Sequence, residues 1–253
     1  MHYSITGKIA LVTGANRGIG KALTQELLNR GAKRVYATGR DPANLQQLAE
    51  DLNAPERLVT LPLDITRRED IEQLARQIDS LDILVNNAGI TLGGTFTQPE
   101  SLETLDQEMA TNFFGPVHLT HALLPNLKRS NGAAVVFINS IAGLCNFPLI
   151  AAYAAAKAAL HSYTQGLRAE LHHQGIQVLG VYPGPVATRL TDGFDGDKAE
   201  PSEVARIIFE NLQEREEDVF PDAYSQAMHQ IFVENPKKLE QTFAEALTPE
   251  AVN

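Results

Sequence analysis

The sequence contains only one cysteine, Cys145, so it cannot form an internal disulfide bond. This excludes the small secreted proteins whose folds depend on several disulfides. No uninterrupted apolar run reaches the roughly 18 residues that a membrane-spanning helix requires, and we therefore expect no membrane segment. The first residues also lack the cationic stretch and apolar run of a secretory signal peptide. These absences predict a cytoplasmic protein.

Basic side chains are in deficit, and the formal net charge is −10. Residues 1–191 carry equal numbers of acidic and basic side chains, so the whole imbalance arises in residues 192–253. An acidic chain repels a polyanion, and we expect no nucleic-acid partner. The acidic C-terminal part, residues 202–253, is interpreted as solvated helix faces; a docking surface for a basic partner is the alternative.

What the sequence does contain is an alternation of short apolar runs with amphipathic helical segments, which is typical of α/β folds. We predict one domain over residues 1–253, a Rossmann-type, doubly wound parallel sheet of about seven strands with helices on both faces. Residues 187–201, rich in glycine and aspartate, are predicted to form an irregular substrate-lid loop. Strands are predicted at residues 8–13, 34–38, 58–62, 83–86, 134–140, 177–183 and 218–220.

Capping signals mark two helix starts. Asp41 followed by Pro42 predicts an N-cap with a proline in the first turn. Thr66 and Glu69 have the spacing of a capping box. Asp64, just past the third strand, is expected either to bind the amino group of an adenine or to cap a turn.

The first strand runs into the segment TGANRGIG at residues 13–20, and a helical segment follows at once. A turn without side chains lets a pyrophosphate approach the backbone N–H groups at the start of a helix. The spacing GxxxGxG differs from the GxGxxG fingerprint. Its place between the first strand and the first helix nevertheless favours nucleotide binding over a purely structural turn.

The second strand ends near Gly39, and Arg40 follows it. In such folds an acidic residue here binds the ribose 2′-hydroxyl of NAD, whereas an arginine pairs with the 2′-phosphate of NADP. Gly39 is expected to leave open space where the acid would stand, and Arg17 could close on the same phosphate. Asp41 is better explained as the helix cap. We therefore predict NADP(H) in preference to NAD(H).

Tyr153 and Lys157 lie four residues apart in an alanine-rich segment, so they would share one helix face. A phenol has a pKa near 10, and a neighbouring cation stabilises the phenolate and brings the pKa toward the range that general acid–base catalysis needs. A solvated pair on a helix surface is the alternative. Ser140 ends the fifth predicted strand and NNAG, residues 86–89, ends the fourth, so both are expected at the carboxyl edge where open α/β sheets bind ligands.

Over residues 6–190 these motifs, in this order, resemble the single-domain branch of the short-chain dehydrogenase/reductase family. The resemblance rests on TGANRGIG, NNAG, Asn112 in MATNFFG, Ser140, the Tyr153/Lys157 pair, and Pro183-Gly184 with Thr188. Beyond Thr188 the family varies most. No departure from the catalytic pattern is visible.

The resemblance implies four catalytic residues. Tyr153 would donate a proton in carbonyl reduction and accept it in alcohol oxidation. Lys157 would lower the pKa of Tyr153 and hold the nicotinamide ribose, Ser140 would bind the substrate oxygen, and Asn112 would hold a water that joins Lys157 to a proton relay. No metal is expected. The implied cofactor contacts are Gly14, Asn16, Arg17, Gly18, Ile19, Gly20, Arg40, Asp64, Ile65, Asn86, Ala88, Gly89, Tyr153, Lys157, Pro183, Gly184, Val186 and Thr188.

The segment after Ser140 is mostly apolar and has no basic residue, which predicts a neutral, hydrophobic ketone, aldehyde or secondary alcohol as substrate. Arg189 and Lys198 leave a phosphopantetheine-borne substrate open, so a 3-oxoacyl-carrier-protein reductase is one alternative. A non-catalytic NADP sensor is the other. Relatives form homodimers or homotetramers through helices that correspond to residues 102–127 and 152–172. The expected pocket residues are Ser140, Cys145, Phe147, Ile150, Tyr153 and Leu190, with Cys145 as a small apolar wall residue.

Overall fold

The computed structural model describes residues 2–247; Met1 and residues 248–253, the end of the predicted acidic C-terminal part, lie outside the described residues. Seven parallel strands form one sheet in the order β3-β2-β1-β4-β5-β6-β7. This confirms the predicted doubly wound, Rossmann-type α/β fold. The strands are β1 Ile9–Thr13, β2 Arg34–Gly39, β3 Leu58–Pro62, β4 Ile83–Asn86, β5 Ala134–Ile138, β6 Gln177–Val181 and β7 Asp218–Val219.

Helices cover both faces of the sheet, and each face has its own apolar core. The helices of the described residues are α1 Gly18–Asn29, α2 Pro42–Leu52, α3 Arg68–Gln77, α4 Ser101–Met109, α5 Gly115–Lys128, α6 Ala151–His172, α7 Pro201–Glu214, α8 Ala223–Glu234 and α9 Pro236–Ala244. One core joins the strands to α1, α2 and α7, and the other joins them to α3, α5 and α6. Because strand side chains alternate, Val136 belongs to the first core while Val135 and Phe137 belong to the second.

Strand order reverses between β1 and β4, which are neighbours in the sheet although two strands separate them in the chain. The connections on either side of this point run in opposite directions, so a crevice opens beyond the carboxyl ends of the two strands. Both the glycine turn after β1 and residues 86–89 after β4 lie there.

Two predicted strands were too long. The chain leaves β5 after Ile138 and β6 after Val181. A last ladder bond joins the Asn139 amide to the Val181 carbonyl at 2.7 Å, and the chain then enters a 3₁₀ turn at Ile141–Gly143. Asn139 is therefore the last residue of this segment that bonds to β6, and Ser140 stands at the edge of the sheet.

One capping signal is confirmed and the other is wrong. The Asp41 side chain accepts a hydrogen bond from the Ala43 amide at 2.9 Å and caps α2 as predicted. Helix α3 instead begins at Arg68 with no side-chain cap. The Thr66 amide and hydroxyl both donate to Asp64 Oδ1, at 2.9 and 2.7 Å, so the nearby carboxylate engages the threonine that was predicted to cap the helix.

The predicted lid is more ordered than expected. A 3₁₀ turn spans Arg189–Thr191, and Val186 pairs with Ala199 in a parallel bridge that closes the loop at its base. Among residues 2–247, no helix is both long and apolar enough to cross a membrane.

Candidate active site

The glycine turn places the first turn of α1 directly against the end of β1. A side chain at Gly20 would put its Cβ 2.1 Å from the Gly14 carbonyl oxygen, so only glycine allows this approach. Helix α1 begins at Gly18 without a side-chain cap and without an acidic residue in its first turn. Its first N–H groups and its positive dipole end therefore fit a nucleotide pyrophosphate.

Asn87 and Thr13 fix the geometry of this turn. The Thr13 hydroxyl oxygen accepts from the amides of Asn87 and Ala88, both at 3.0 Å. Asn87 Nδ2 in turn donates to the carbonyls of Thr13 and Gly14, at 2.8 and 3.2 Å. These bonds tie the ends of β1 and β4 together. The sequence pointed instead to Asn86, whose Nδ2 donates to Thr120 Oγ1 at 3.0 Å on the α5 side, leaving only its backbone beside the turn.

Two arginines lie beside the end of β2. Arg17 and Arg40 are both exposed, and neither guanidinium group makes a hydrogen bond or an ion pair with another of the residues 2–247. The space at Gly39 is less open than expected, since a Cβ there would lie 3.4 Å from both Asn16 Oδ1 and Leu45 Cδ2. This is ordinary contact distance, so an added side chain would be flanked but tolerated.

The predicted adenine side of the site holds Asp64 and Ile65. The Asp64 carboxylate caps a turn through Thr66, one of the two roles expected for it. Ile65 is buried against the start of α5, where a Cβ at Gly115 would come within 2.8 Å of Ile65 Cδ1. The backbone between β3 and α3 is thus held close to α5.

Ser140 and the Tyr153/Lys157 pair meet at the carboxyl edge of β5. A Cβ at Gly143 would lie 2.9 Å from the Lys157 carbonyl, so the glycine lets the 141–143 turn rest on the α6 backbone. The Ala142 amide donates to Ser140 Oγ at 3.2 Å and orients the hydroxyl. Lys157 Nζ donates to the Ile138 carbonyl at 2.7 Å and lies 5.6 Å from the Tyr153 ring centroid.

Burial dominates the electrostatics of this group. It raises the pKa of Tyr153 to about 12, an effect that the Ser140 hydroxyl opposes and the Glu108 charge reinforces. Burial also lowers the pKa of Lys157 to about 8. The predicted effect of Lys157 on the pKa of Tyr153 stays a prediction, because desolvation of the phenol is the largest influence on that pKa in this structure.

Asn112 lies in a π-helical turn, Ala110–Phe114, that joins α4 to α5. Its Oδ1 accepts from the Ile90 amide and its Nδ2 donates to the Ile90 carbonyl, both at 2.9 Å. The side chain is fully buried and engaged by these two bonds, so a water on the predicted relay would depend on the backbone of Asn112. Glu108, one turn earlier, was missed: its Oε1 accepts from the Leu92 amide, although its sequence context is that of an ordinary surface helix.

The base of the predicted lid contacts the glycine turn. A Cβ at Gly18 would come within 2.8 Å of Thr188 Cγ2. Buried Asp222, which the sequence analysis did not single out, caps α8 through Ser225 and accepts from the Gly184 amide at 2.8 Å. Its place before a helix was readable as a cap, but its bond to Gly184, 38 residues away, was not.

The expected substrate wall follows Ser140 and receives an unexpected contribution from α9. Phe147 packs edge-to-face on Phe243, with ring centroids 5.3 Å apart. Burial and Glu240 raise the pKa of the Cys145 thiol, and Lys237 opposes this, so α9 brings charged groups to a segment that has none of its own. The remaining wall residues are half-buried Ile150 and exposed Leu190.

The fold places the glycine turn at the switch point and Ser140, Tyr153 and Lys157 at the same edge of the sheet, an arrangement typical of nucleotide-binding oxidoreductases. Residues 8–199 match the short chain dehydrogenase family model. The chain belongs to the short-chain dehydrogenase/reductase family.

Known proteins agree with this assignment. An uncharacterized oxidoreductase of Staphylococcus saprophyticus is 33% identical over 216 residues, covering 82% of this chain and 92% of its own. A short chain dehydrogenase of Burkholderia cenocepacia, solved in complex with NADP, is 31% identical with a TM-score of 0.89, over 98% of this chain and 100% of that one. A Burkholderia phymatum family member in complex with NAD shares the fold at 21% identity, with a TM-score of 0.81 over 93% and 96% of the two chains.

Proposed function

We propose that the protein interconverts a neutral, hydrophobic ketone or aldehyde and its alcohol, using NADP(H) and Tyr153 as acid and base. The observation that carries this proposal is the meeting of Ser140, Tyr153 and Lys157 at the sheet edge beside the glycine turn. The protein acts as one domain over residues 1–253 in the cytoplasm, with residues 187–201 as its lid and without a nucleic-acid, membrane or metal partner.

The reduced nicotinamide supplies the hydride when it is bound. Ser140 Oγ already accepts from the Ala142 amide, so its own O–H is available to donate to the substrate carbonyl oxygen. Tyr153, whose pKa is raised to about 12, is protonated at neutral pH and donates its proton to the same oxygen. Lys157, with a pKa near 8, holds the ribose hydroxyls and supplies a cation beside the phenol. The remaining predicted contacts hold the nucleotide along the glycine turn, residues 64–65, 86–89 and 183–188.

Replacing Tyr153 by Phe tests the acid. The Tyr153→Phe protein should bind NADPH with nearly unchanged affinity and lose turnover, because only the phenolic proton is removed. Tyr163→Phe on the same helix is the matched control, since Tyr163 is partly buried, packs against Phe137 and is not one of the predicted site residues. Turnover of Tyr153→Phe near the level of the control would remove Tyr153 from the mechanism.

The preference for NADP(H) rests on the exposed, unpaired guanidinium groups of Arg17 and Arg40 beside the end of β2. One related structure holds NADP and another holds NAD, so the residues of this chain carry the argument. Arg40→Gln should weaken NADPH binding and leave NADH binding unchanged, whereas exposed Arg76→Gln should change neither. Adding Gly39→Asp should move the preference toward NADH; an unmoved preference would place the phosphate site elsewhere.

The substrate class is tested by following NADPH oxidation with neutral ketones, aldehydes and acyl-thioesters. Turnover of neutral carbonyl compounds is the expected result. Selective turnover of acyl-thioesters would favour a 3-oxoacyl-carrier-protein reductase, for which Arg189, Lys198 and Lys237 provide charge near the pocket. Tight NADPH binding without turnover across the panel would favour a sensing protein.

We further propose that the chain forms a homodimer or homotetramer through the helices at 102–127 and 152–172. A groove of about 490 Å³ lies between α3, α5 and α6 and is lined by residues such as His118, His121 and Tyr163. Gly166 in this groove is exposed, and a side chain there would meet no atom of its own subunit within 4 Å. Gly166→Arg should therefore reduce the mass measured by light scattering without unfolding the chain; an unchanged mass would place the interface elsewhere.

A further inference from the structure

The Glu108 carboxylate is buried at a place that offers it few hydrogen-bond donors. Glu108 is 1% exposed. Its Oε1 accepts a hydrogen bond from the Leu92 amide, whereas its buried Oε2 has no hydrogen-bond partner among the described residues. A carboxylate with one neutral donor is poorly compensated for its lost hydration. The Leu92 amide alone does not require a charge, because a neutral glutamine would accept that bond as well.

The position of Glu108 connects it to the catalytic group. Asn112, one helical turn later, binds both backbone groups of Ile90, so the two side chains hold residues 90–92 from the same side. Lys157 Nζ reaches the start of this segment, since a Cβ at Gly89 would lie 3.1 Å from Asn112 Oδ1 and 3.9 Å from Lys157 Nζ. One short segment thus separates the carboxylate from the ammonium.

The charges that face Glu108 come from α6. This helix packs against α4 and presents Tyr153 and Lys157, whereas the Ala110–Phe114 turn and residues 89–92 contain no titratable side chain. Glu108 raises the pKa of Tyr153 and that of Lys157. Burial raises the pKa of Glu108 itself, and the Leu92 amide and Lys157 oppose this.

We propose that Glu108 is a positioning residue for the oxidoreductase reaction: it fixes the 90–92 segment through Leu92, and its negative charge keeps Lys157 cationic and Tyr153 protonated. The charge acts through Tyr153 and Lys157, and Glu108 itself exchanges no proton with the substrate. This inference rests on the proposed function, in which Tyr153 is the acid and Lys157 its cationic neighbour.

Glu108→Gln tests the charge, because the amide oxygen of glutamine can still accept from Leu92. The ε-carbon NMR signal of Lys157, assigned by its loss in Lys157→Met, reports the titration of the amine without any substrate. In Glu108→Gln its midpoint should fall by roughly one pH unit. The pH at which the NADPH-dependent reduction rate declines on the alkaline side should move down by a similar amount. Glu103→Gln, an exposed glutamate in the first turn of the same helix, is the control and should leave both unchanged.

The possible outcomes separate the two proposals. A shifted Lys157 midpoint without turnover of any carbonyl compound would support the role of Glu108 in charge and refute the proposed reaction. Normal turnover with a Lys157 midpoint equal to that of the control would overturn the inference alone. If Glu108→Gln does not fold, the carboxyl NMR signal of Glu108 is titrated in wild type and in Lys157→Met; the inference requires a higher midpoint in the variant, and equal midpoints overturn it.

Discussion

Lys157 is expected to destabilise the folded protein at neutral pH. Burial lowers its pKa from the ordinary value of 10.5 to about 8. At about 1.4 kcal/mol per pKa unit, keeping the amine protonated in the folded chain costs about 3 kcal/mol. Lys157→Met removes this cost but loses the bond to the Ile138 carbonyl, which contributes about 1–2 kcal/mol. The variant should therefore be more stable than wild type by roughly 1–2 kcal/mol at pH 7, although inactive.

The same argument predicts how the difference changes with pH. A pKa that is lower in the folded state means that the unfolded chain binds more protons between pH 8 and 10.5. Wild-type stability therefore rises with pH across this window, relative to a protein without this amine, and the full cost applies below it. Above the window, wild type should be the more stable protein, because its neutral amine retains the bond to Ile138.

Urea denaturation followed by circular dichroism, at several pH values from 7 to 10, measures this difference. Lys33→Met is the control, since Lys33 is exposed and lies outside the buried group around Lys157. Two results would refute the reasoning. One is a Lys157→Met protein less stable than wild type by more than about 1 kcal/mol at pH 7; the other is a stability difference that is flat across the window.

Three further substitutions probe the scaffold. Asp222→Ala removes the α8 cap and the acceptor for the Gly184 amide, so the free energy of unfolding should fall by about 2–4 kcal/mol in urea, with a smaller loss for Asp222→Asn. Gly143→Ala pushes a methyl group toward Lys157 and should lower kcat while costing about 1–3 kcal/mol of stability. Phe243→Ala removes the ring packed on Phe147 and should raise KM for a bulky carbonyl substrate, measured in steady state, without changing NADPH affinity.

Most of the fold was predictable because local signals agree with the tertiary structure. The near-continuous apolar runs of β1 to β6 favour a sheet that helices cover on both faces, because only there are the side chains on both sides of each strand buried. The predicted ends failed where polar residues leave the sheet, at Asn139 and after Val181, because apolar content does not report where ladder bonds stop. The Thr66 capping box failed because Asp64 competes for the same hydroxyl.

The short motifs of the candidate site are visible in the sequence, whereas its contacts between residues distant in the chain are not. The short patterns around Gly14, Ser140 and Tyr153 carry their own spacing, and the fold then brings them together. Glu108 and Asp222 have no such pattern. Glu108 accepts a hydrogen bond from the Leu92 amide and Asp222 from the Gly184 amide, and both amides are distant in the chain. No local sequence pattern indicates which backbone amide a carboxylate will bind.

The contact between Phe147 and Phe243 has a consequence for the order in which the protein matures. Translation releases the whole sheet, the glycine turn, Tyr153 and Lys157 before α9 emerges. The glycine turn of a nascent chain therefore forms while Phe147 still lacks its contact with Phe243. The same arrangement separates the two parts of the candidate site for evolution: exchange of α8 and α9 would alter the surroundings of Phe147 and leave the glycine turn in place.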